Sequence, residues 1–375
     1  MKKSIRGIGV GVAFGAMLVT AACAPPAKEA AKTTDGGVSA ATATSAEKLG
    51  GMDKLVAAAK KEGALNVIAL PPTWANYGEI TAAFTTKYGI KINPASPNGT
   101  SQDEINAVKQ LGSTTRAPDV LDLSGSVAVA NTDLYAPYQV ATWADIPDAQ
   151  KESTGLHVND YGGYMAIGYD SAKVPAITTI QDLTKPAYKG KVALNGDPTA
   201  AGAALNGVIM TSVATGGTAG DISKGVDFFK SLKKSGNFIP VDPTPATVKS
   251  GTTPIVFDWD YLQAENVKAV STWKVFVPEG AAVGGYYNQA ISKTAPHPAA
   301  ARLWEEFLFS DEGQNLWLKG GARPVRMDAM TKSGTLDAAA AAALPKVSGT
   351  PVFPTQADVD KAQAYVTANW AKAIS

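Results

Sequence analysis

The sequence has one cysteine and two histidines among its 375 residues, namely Cys23, His157 and His297. So few side chains of these types exclude a disulfide framework, an iron–sulfur cluster and a Cys/His zinc cage, each of which needs several of them together. A bound metal would need mainly oxygen ligands. An excess of positive charge is also missing, because 34 Lys and Arg balance 33 Asp and Glu. A nucleic-acid partner, which needs a clustered positive surface, is therefore not expected.

Motifs of common enzymes are missing too. The chain has no G-x-S-x-G nucleophile turn, no G-x-x-x-x-G-K-[ST] phosphate loop and no H-E-x-x-H zinc motif, and neither histidine belongs to a recognisable nucleophile motif. We therefore predict no catalytic residue, no cofactor and no resident metal.

The N-terminus has the pattern of an export signal. A basic start at Lys2, Lys3 and Arg6 precedes the apolar run 8–22, which ends in small residues before Cys23. A membrane-spanning helix needs roughly 18 or more apolar residues, so a signal peptide is favoured over an N-terminal anchor helix. The segment VTAAC resembles the lipobox of bacterial lipoproteins. This resemblance implies that residues 1–23 form a signal peptide ending at a lipidated Cys23, which would hold the protein at a membrane.

Residues 24–48 contain no aromatic side chain and consist mostly of Ala, Thr, Ser, Lys and Pro. Such a segment has little apolar surface to offset the entropy cost of ordering. We predict a flexible tether there, followed by the folded part.

From residue 52 onward, amphipathic helical patterns alternate with short apolar strands. The strands are expected at 65–70, 90–92, 118–123, 163–169, 192–194, 255–259 and 274–277. Helices are expected at 52–63, 77–88, 103–111, 201–215, 225–235, 299–309, 312–318 and 358–371. This alternation predicts an α/β fold with a sheet rich in parallel strands and a ligand site at the carboxyl ends of the strands.

Three stretches resemble a known family: LVAAAKKEG at 55–63, KGKVAL at 189–194 and PHPAAARLWEEFLFSDEGQ at 296–314. Together with the lipobox and tether they resemble the extracellular solute-binding proteins of ABC importers over most of residues 50–325. More narrowly, the chain is similar to the type II branch that holds ferric-ion, polyamine, thiamine and phosphonate binders. The resemblance implies a two-lobed type II periplasmic-binding-protein fold that closes about a hinge.

The same resemblance implies the domain boundaries. Residues 49–165 with 283–325 would form lobe 1, residues 166–280 lobe 2, and residues 326–375 a C-terminal helical segment. It also implies the function: capture of a small solute between the lobes and delivery to a permease with its ATPase, by a monomeric, extracytoplasmic protein. A surface sensor that uses this fold without transport is the alternative.

Candidate ligand residues lie where the predicted strands of lobe 1 end. Trp74 and Tyr77 follow the first strand, and their rings could stack on a cation or a sugar, or else pack as a staple on the next helix. Ser124 and Ser126 follow another strand and could bind an anion, or simply cap a helix.

Two further motifs add candidates. The segment DYGGY brings Tyr161 and Tyr164 next to the first predicted crossing between the lobes, where they could contact ligand or pack on the lobe surface. Asp197 follows a strand of lobe 2, and its alternative role is an ordinary turn before Pro198.

The segment FDWDY adds Asp258, Trp259, Asp260 and Tyr261 at the end of a strand. In a continuing strand both carboxylates would share one face, and a bound cation would relieve their repulsion. The alternative is that one of them caps a helix.

The ligand prediction follows from these residue types. Ferric-binding relatives carry adjacent tyrosines where this chain has WDY, and the pair Tyr286-Tyr287 falls near the predicted hinge, so iron is not favoured. Rings with carboxylates suit an organic cation better. A cationic amine such as a polyamine is the leading hypothesis, and a ferric ion or an aminophosphonate held by the two serines is the alternative.

Overall fold

The computed structural model describes residues 38–112 and 114–375. The predicted signal peptide, the lipidation of Cys23 and the tether up to residue 37 lie outside these residues. Within the described part, no helix is long and apolar enough to cross a membrane.

Residues 38–48 differ from the flexible tether that their composition predicts. Ala43 is buried, and its carbonyl accepts a hydrogen bond of 2.7 Å from Nε of the buried Arg302. The carbonyl of Thr44 accepts a hydrogen bond of 2.8 Å from the amide of Gln139. A buried guanidinium needs acceptors, and these small residues bring their backbone close enough to supply them.

The strands of the described residues agree in most places with the predicted ones. They are β1 (Ala64–Ile68), β2 (Lys91–Ala95), β3 (Val120–Ser124), β4 (Tyr135–Ala136), β5 (Val158–Asp170), β6 (Val192–Leu194), β7 (Ile255–Trp259), β8 (Trp273–Phe276), β9 (Gly284–Ser292) and β10 (Arg323–Pro324). The strands β4, β9 and β10 have no counterpart among the predicted strands, and β5 begins five residues before its predicted start at Gly163.

All the predicted helices are present, with shorter ones between them. They are α1 (Met52–Glu62), α2 (Tyr77–Tyr88), α3 (Ser101–Leu111), α4 (Gly125–Ala130), α5 (Gly202–Ala214), α6 (Ser223–Ser235), α7 (Pro245–Ser250), α8 (Asp260–Ala269), α9 (Pro298–Leu308), α10 (Asp311–Lys319), α11 (Met327–Ser333), α12 (Ala338–Ala342) and α13 (Gln356–Ile374).

Local signals set several of these helix ends. Helix α3 starts at a capping box in which Thr100 and Asp103 satisfy each other's backbone amides. Helix α1 ends at Gly63, whose φ of 73° is a left-handed conformation that glycine adopts without a Cβ penalty.

The sheet corrects the expectation of mainly parallel pairing. Strand β1 pairs with β2 in parallel, as does β6 with β7, but the main sheet has the order β3-β9-β5-β7-β6 and its other pairings are antiparallel. The reason is that β5 and β9 run through the middle of the sheet in opposite directions. Strand β5 pairs with β9 and β10 up to Tyr164 and with β7 and β8 from Met165 onward, so it belongs to both halves of the molecule.

The C-terminal segment returns to the middle of the molecule. Val352 forms a parallel bridge with Val283, and its carbonyl accepts a hydrogen bond of 2.9 Å from the amide of Gly284. Helix α13 then packs on α6, where the rings of Trp370 and Phe229 lie 5.5 Å apart. The chain therefore passes between the two halves at β5, at the start of β9 and again before α13.

Candidate binding site

Five aromatic side chains meet where β5 and β9 cross between the halves. We call them the aromatic cluster: Trp74, Tyr161, Trp259, Tyr261 and Tyr287. Tyr161 and Tyr287 stack with their centroids 5.6 Å apart, and Trp259 stacks on Tyr261 at 6.0 Å. Trp74 lies edge-on at 5.6 Å from Tyr287 and 6.0 Å from Tyr261. Four of these residues are among the predicted candidates, and the structure brings them together.

Two glycines of the crossing strands allow the neighbouring side chains to pack closely against the backbone. Gly163 of β5 lies opposite Gly285 of β9. A Cβ at Gly285 would lie 2.9 Å from the Trp259 ring, and a Cβ at Gly163 would lie 2.1 Å from Oδ1 of Asp260. Side chains of 166–280 therefore approach the crossing strands only because these positions lack a side chain.

A buried acid, Asp122, supports the cluster from β3. The indole Nε1 of Trp74 donates a hydrogen bond of 2.6 Å to the Tyr161 hydroxyl, which donates one of 2.9 Å to Oδ2 of Asp122. Burial raises the pKa of Asp122 to about 7, while the hydrogen bonds from Tyr161 and Tyr77 act in the opposite direction.

Gln289 of β9 extends the hydrogen-bond network around Asp122 to Tyr77 and Asp160. Its side-chain amide donates hydrogen bonds of 3.0 Å to the Tyr77 hydroxyl and 2.8 Å to Oδ2 of Asp160. Tyr77 is fully buried, and its ring packs 6.3 Å from that of Trp317. Tyr77 therefore supports the site from the core of the first half. Burial raises the pKa of Asp160 well above its ordinary value, and the charge of Asp122 raises it further.

Asp258 directly precedes Trp259 of the aromatic cluster. It is buried at the end of β7, and its Oδ1 accepts a hydrogen bond of 2.8 Å from the Trp259 amide. Burial raises its pKa to about 7, opposed by hydrogen bonds from the Asn195 side chain and the Trp259 amide. Burial raises the pKa of Tyr261 and of Tyr287, and the charge of Asp258 raises both further. Among the described residues, no ion pair involves Asp258.

Asp260 does not share a face with Asp258, because the strand ends at Trp259 and α8 begins at Asp260. Its carboxylate forms an ion pair with Arg323 of β10, and its Oδ1 accepts a hydrogen bond of 3.0 Å from the Tyr164 amide. Burial raises the pKa of Asp260, and the charge of Arg323 opposes this rise. The sequence analysis expected a bound cation between Asp258 and Asp260. At Asp260 the positive charge comes instead from Arg323 of the same chain.

Tyr164 lies beside this ion pair, outside the aromatic cluster. The guanidinium of Arg323 lies 4.8 Å from the centre of the Tyr164 ring, which packs 6.2 Å from Phe353 of the C-terminal segment. The ring therefore belongs to the junction between the halves rather than to the cluster.

The remaining candidates have different surroundings. Ser124 is half-buried and lies opposite Tyr287 in the β3–β9 ladder, and Ser126 is half-buried in the first turn of α4. Asp197 is exposed and accepts hydrogen bonds of 2.8 and 2.7 Å from the amide and hydroxyl of Thr199. Its carboxylate thus closes a local turn, as in the alternative weighed from the sequence.

The structure adds site residues that sequence reasoning missed: Asp122, Asn195, Tyr287, Gln289 and Arg323. A usable signal existed for Tyr287, since the adjacent tyrosines are conspicuous, but their position near the hinge counted against them. The strand β9 instead turns Tyr287 onto Tyr161 and Tyr286 onto Phe353.

The two histidines serve other contacts. Nδ1 of His157 lies 3.0 Å from Oδ1 of Asn288, and Nδ1 of His297 lies 2.8 Å from Oδ2 of the buried Asp119. In the described part of the chain, no group of three or more His, Cys, Asp or Glu side chains could hold a metal ion.

The fold is that of the periplasmic binding proteins. The structure of the periplasmic binding protein P5PA has a TM-score of 0.60 and 19% identity, covering 84% of this chain and 100% of that one. Iron-bound HitA from Pseudomonas aeruginosa has a TM-score of 0.59 and 19% identity, over 83% and 99% of the two chains. The spermidine/putrescine substrate-binding protein PotD from Streptococcus pneumoniae, in complex with calcium and HEPES, has a TM-score of 0.59 and 16% identity over the same shares of 83% and 99%.

Residues 127–346 match the model of the bacterial extracellular solute-binding protein family, and the chain belongs to that family. A search of curated proteins found no match. Family membership makes the chain the substrate-binding component of an ABC import system, with a small-solute ligand, permease partners and an extracytoplasmic location. The predicted two-lobed α/β fold is confirmed. The names lobe 1 and lobe 2 are used below for the residues that the predicted boundaries assign to each, and those boundaries stay a prediction.

Proposed function

We propose that this solute-binding protein captures a cationic amine in the cleft between its lobes and delivers it to a membrane permease. The observation that carries the proposal is the setting of Asp258, a buried carboxylate that has no ion pair and lies beside the aromatic cluster. A bound cation would supply the missing positive charge, and the rings would take the place of its water shell.

Both lobes contribute residues to the proposed binding site. Trp74, Tyr161 and Tyr287 come from lobe 1, whereas Asp258 and Trp259 come from lobe 2. A cation held between them has more favourable contacts in the closed arrangement than in the open one, and this difference in affinity favours closure. The permease would then meet the closed form, and ATP hydrolysis would take place in another subunit.

The charges around the cluster support a cation over an anion. Arg323 brings a positive charge to this region, but its guanidinium forms an ion pair with Asp260. An aminophosphonate could still place its ammonium at Asp258 and its anionic end near Ser124 and Ser126. A ferric ion would have to use phenolates whose pKa values burial raises, as at Tyr261 and Tyr287.

We also propose that Cys23 is lipidated after removal of the signal peptide, and that the protein works as a monomer anchored to the membrane. The support is the lipobox resemblance of VTAAC and the basic and apolar segments before it. Intact mass of the membrane-extracted protein tests this. A diacylglycerol-sized addition that Cys23→Ala removes is expected, and an unmodified thiol in the mature chain would contradict it.

Thermal melting of the full chain tests the ligand class. The panel contains putrescine, spermidine, choline, thiamine, ferric citrate, 2-aminoethylphosphonate and simple sugars. A ligand at a hundred times its dissociation constant adds about 2.7 kcal/mol, which raises the melting temperature by several degrees. We expect shifts with organic cations that Asp258→Asn removes, while the exposed Asp227→Asn in the same lobe keeps them.

A shift with ferric citrate, phosphonate or a sugar alone would contradict the cation proposal and leave the transport function intact. No shift with any solute, in a protein whose gene has no permease neighbour, would favour the surface-sensor alternative.

A further inference from the structure

We infer that Asn76, together with Ala75, is a positioning residue for Trp74, because the left-handed backbone of these two residues sets the direction in which the indole meets the solute. We call Ala75 and Asn76 the strained pair. The inference rests on the proposed function, in which Trp74 is part of the aromatic wall around the solute, and it adds residues that act through Trp74.

Non-glycine residues with a left-handed backbone are concentrated at one edge of lobe 1. Among the described residues, four have this conformation, with φ of 54° at Ala69, 44° at Ala75, 68° at Asn76 and 40° at Ser96. Ala69 follows the last residue of β1, Ser96 follows β2, and the strained pair directly precedes α2. The conformation brings the Cβ of an L-residue too close to its own backbone. Backbone strain of this kind is typical of ligand clamps and other functional segments.

The strained pair ends a tight loop that carries Trp74. The Trp74 carbonyl accepts a hydrogen bond of 3.0 Å from the amide of Tyr77. The amide of Gly78 closes the loop with a hydrogen bond of 2.9 Å to the carbonyl of Pro72. The direction of the Trp74 side chain is therefore set by the backbone of the strained pair that follows it.

Contacts with α10 hold the strained pair in place. Nδ2 of Asn76 donates a hydrogen bond of 2.8 Å to the carbonyl of Leu316. Asn76 also lies close to Gly320, where an added Cβ would be 2.6 Å from the Cβ of Asn76. Ala75 is buried. These contacts offset the cost of the strained backbone.

The contacts of the indole depend on its direction. Its Nε1 donates a hydrogen bond of 2.6 Å to the Tyr161 hydroxyl, and its ring meets Tyr287 edge-on at 5.6 Å and Tyr261 edge-on at 6.0 Å. A change of φ at Asn76 would turn the loop, break the hydrogen bond and move the ring away from both tyrosines.

Glycine is the usual residue at a left-handed position, because it has no Cβ. It would relieve the strain at either position of the pair, but it would also allow the loop more conformations. Alanine and asparagine restrict the loop, and this restriction is what holding an aromatic side chain in one direction requires.

Two substitutions at residue 76 separate the backbone conformation from the side-chain contact. Asn76→Val and Asn76→Gly both lose the hydrogen bond to Leu316, but only valine resists the left-handed conformation. Titration calorimetry of choline into the full chain should show at least about tenfold weaker binding for Asn76→Val. Glycine restores the conformation, so Asn76→Gly should lose at most about threefold.

The fluorescence of Trp74 gives a readout that does not depend on a ligand. Its emission is obtained by subtracting the spectrum of the same protein with Trp74→Phe. The emission should move to longer wavelength in Asn76→Val, because the indole leaves its partners for water, and it should stay in place in Asn76→Gly. Circular dichroism checks folding, and Asn76→Ala replaces Asn76→Val, with the same expected direction, if the valine variant is unfolded.

Ser96→Val is the matched control. Ser96 also has a left-handed backbone, but it is exposed and lies after β2 rather than beside Trp74. Its substitution should lower the melting temperature, as Asn76→Val does, and leave the choline affinity and the Trp74 emission at their wild-type values. Equal changes in both valine variants would mean a general loosening of lobe 1 and would overturn the inference.

Three other results would overturn it. They are unchanged emission of Trp74 in Asn76→Val, a shifted emission with unchanged choline affinity, and equal losses of affinity in Asn76→Val and Asn76→Gly. Failure of the proposed function is a distinguishable result. If the wild type ignores choline and putrescine and binds ferric citrate, the cation proposal fails, and the same comparison of variants with ferric citrate decides whether the strained pair positions Trp74.

Discussion

Tyr161 of β5 and Tyr287 of β9 stack with their rings parallel to within 1° and their centroids 5.6 Å apart. These residues lie on two strands that pair in the middle of the sheet, so the stacked pair forms a platform that links β5 to β9. Trp74 of lobe 1 and Tyr261 of lobe 2 both meet this platform edge-on, at 5.6 Å from Tyr287 and 5.8 Å from Tyr161. The aromatic cluster therefore contains residues from both predicted lobes.

Asp258→Asn should stabilise the ligand-free protein at neutral and higher pH. The pKa of Asp258 is raised from 3.8 to about 7 in the folded state, so the folded state holds this proton where the unfolded state has lost it. Its contribution is fully present below about pH 4 and is lost as pH rises to about 7, a loss of up to about 4 kcal/mol. Asparagine carries no charge and keeps an acceptor for the Trp259 amide.

Urea unfolding of both proteins at pH 5 and pH 8 measures this effect. The advantage of the variant should be larger at pH 8 than at pH 5. Asp122, whose pKa burial also raises to about 7, is present in both proteins, so the comparison between them isolates Asp258. An advantage of the same size at both pH values would mean that Asp258 does not titrate in this range.

Affinity for an organic cation should depend on pH through the same residue. Only the ionised carboxylate attracts the cation, so affinity should fall up to about tenfold per pH unit once pH drops below about 7. The nearby Asp260 keeps its partner Arg323, and the neighbouring phenols stay protonated because burial raises their pKa values. Calorimetry between pH 5 and pH 8 checks this, and a flat profile would remove Asp258 from the site.

Arg323→Met should destabilise the protein by about 3–5 kcal/mol, because it leaves Asp260 as an unpaired charge with a fully buried side chain. The double variant with Asp260→Asn removes both charges and should recover most of that loss. Lys319→Met breaks the exposed pair with Glu79 and should cost at most about 1 kcal/mol. Equal destabilisation by the single and double variants would show that packing, not the ion pair, is what Arg323 supplies.

Gly163→Ala should destabilise the protein and displace the acid beside it, since a Cβ there would lie 2.1 Å from Oδ1 of Asp260. An overpacked position of this kind costs about 1–3 kcal/mol. The matched control is Gly202→Ala at the start of α5, where a Cβ meets no atom within 4 Å. Thermal melting of both variants compares them, and similar midpoints would mean that the crossing strands move aside freely.

Much of the fold could be predicted from local patterns. Helix caps, glycine stops and apolar runs gave β1, β7, α1 and α13 nearly at their observed bounds. Pairing direction could not be predicted, because the strands β5 and β9 meet across more than a hundred residues and neither carries the signal of a hairpin turn.

Local sequence patterns also indicated only some of the candidate site residues. Trp74, Trp259 and Tyr261 were predicted from aromatic residues at strand ends, and Tyr161 from the DYGGY segment before a predicted crossing. The structure brings the four rings together, and their role in binding stays a prediction. The partner of Asp260 could not be predicted, since Arg323 lies 63 residues away and β10 has only two residues. Asp122 was not predicted, because its sequence pattern is that of an ordinary buried strand. Its hydrogen bond from the Tyr161 hydroxyl is seen only in the structure.

The central claim is that Asp258 and the aromatic cluster hold an organic cation between the lobes. Titration calorimetry of choline into the full chain and into Asp258→Asn at pH 8 tests it most directly. We expect saturable binding with a negative heat-capacity change for the wild type, and at least about a hundredfold weaker binding for the variant. Binding of choline to Asp258→Asn with wild-type affinity would contradict the account, as would a wild type that ignores every organic cation and binds an anion.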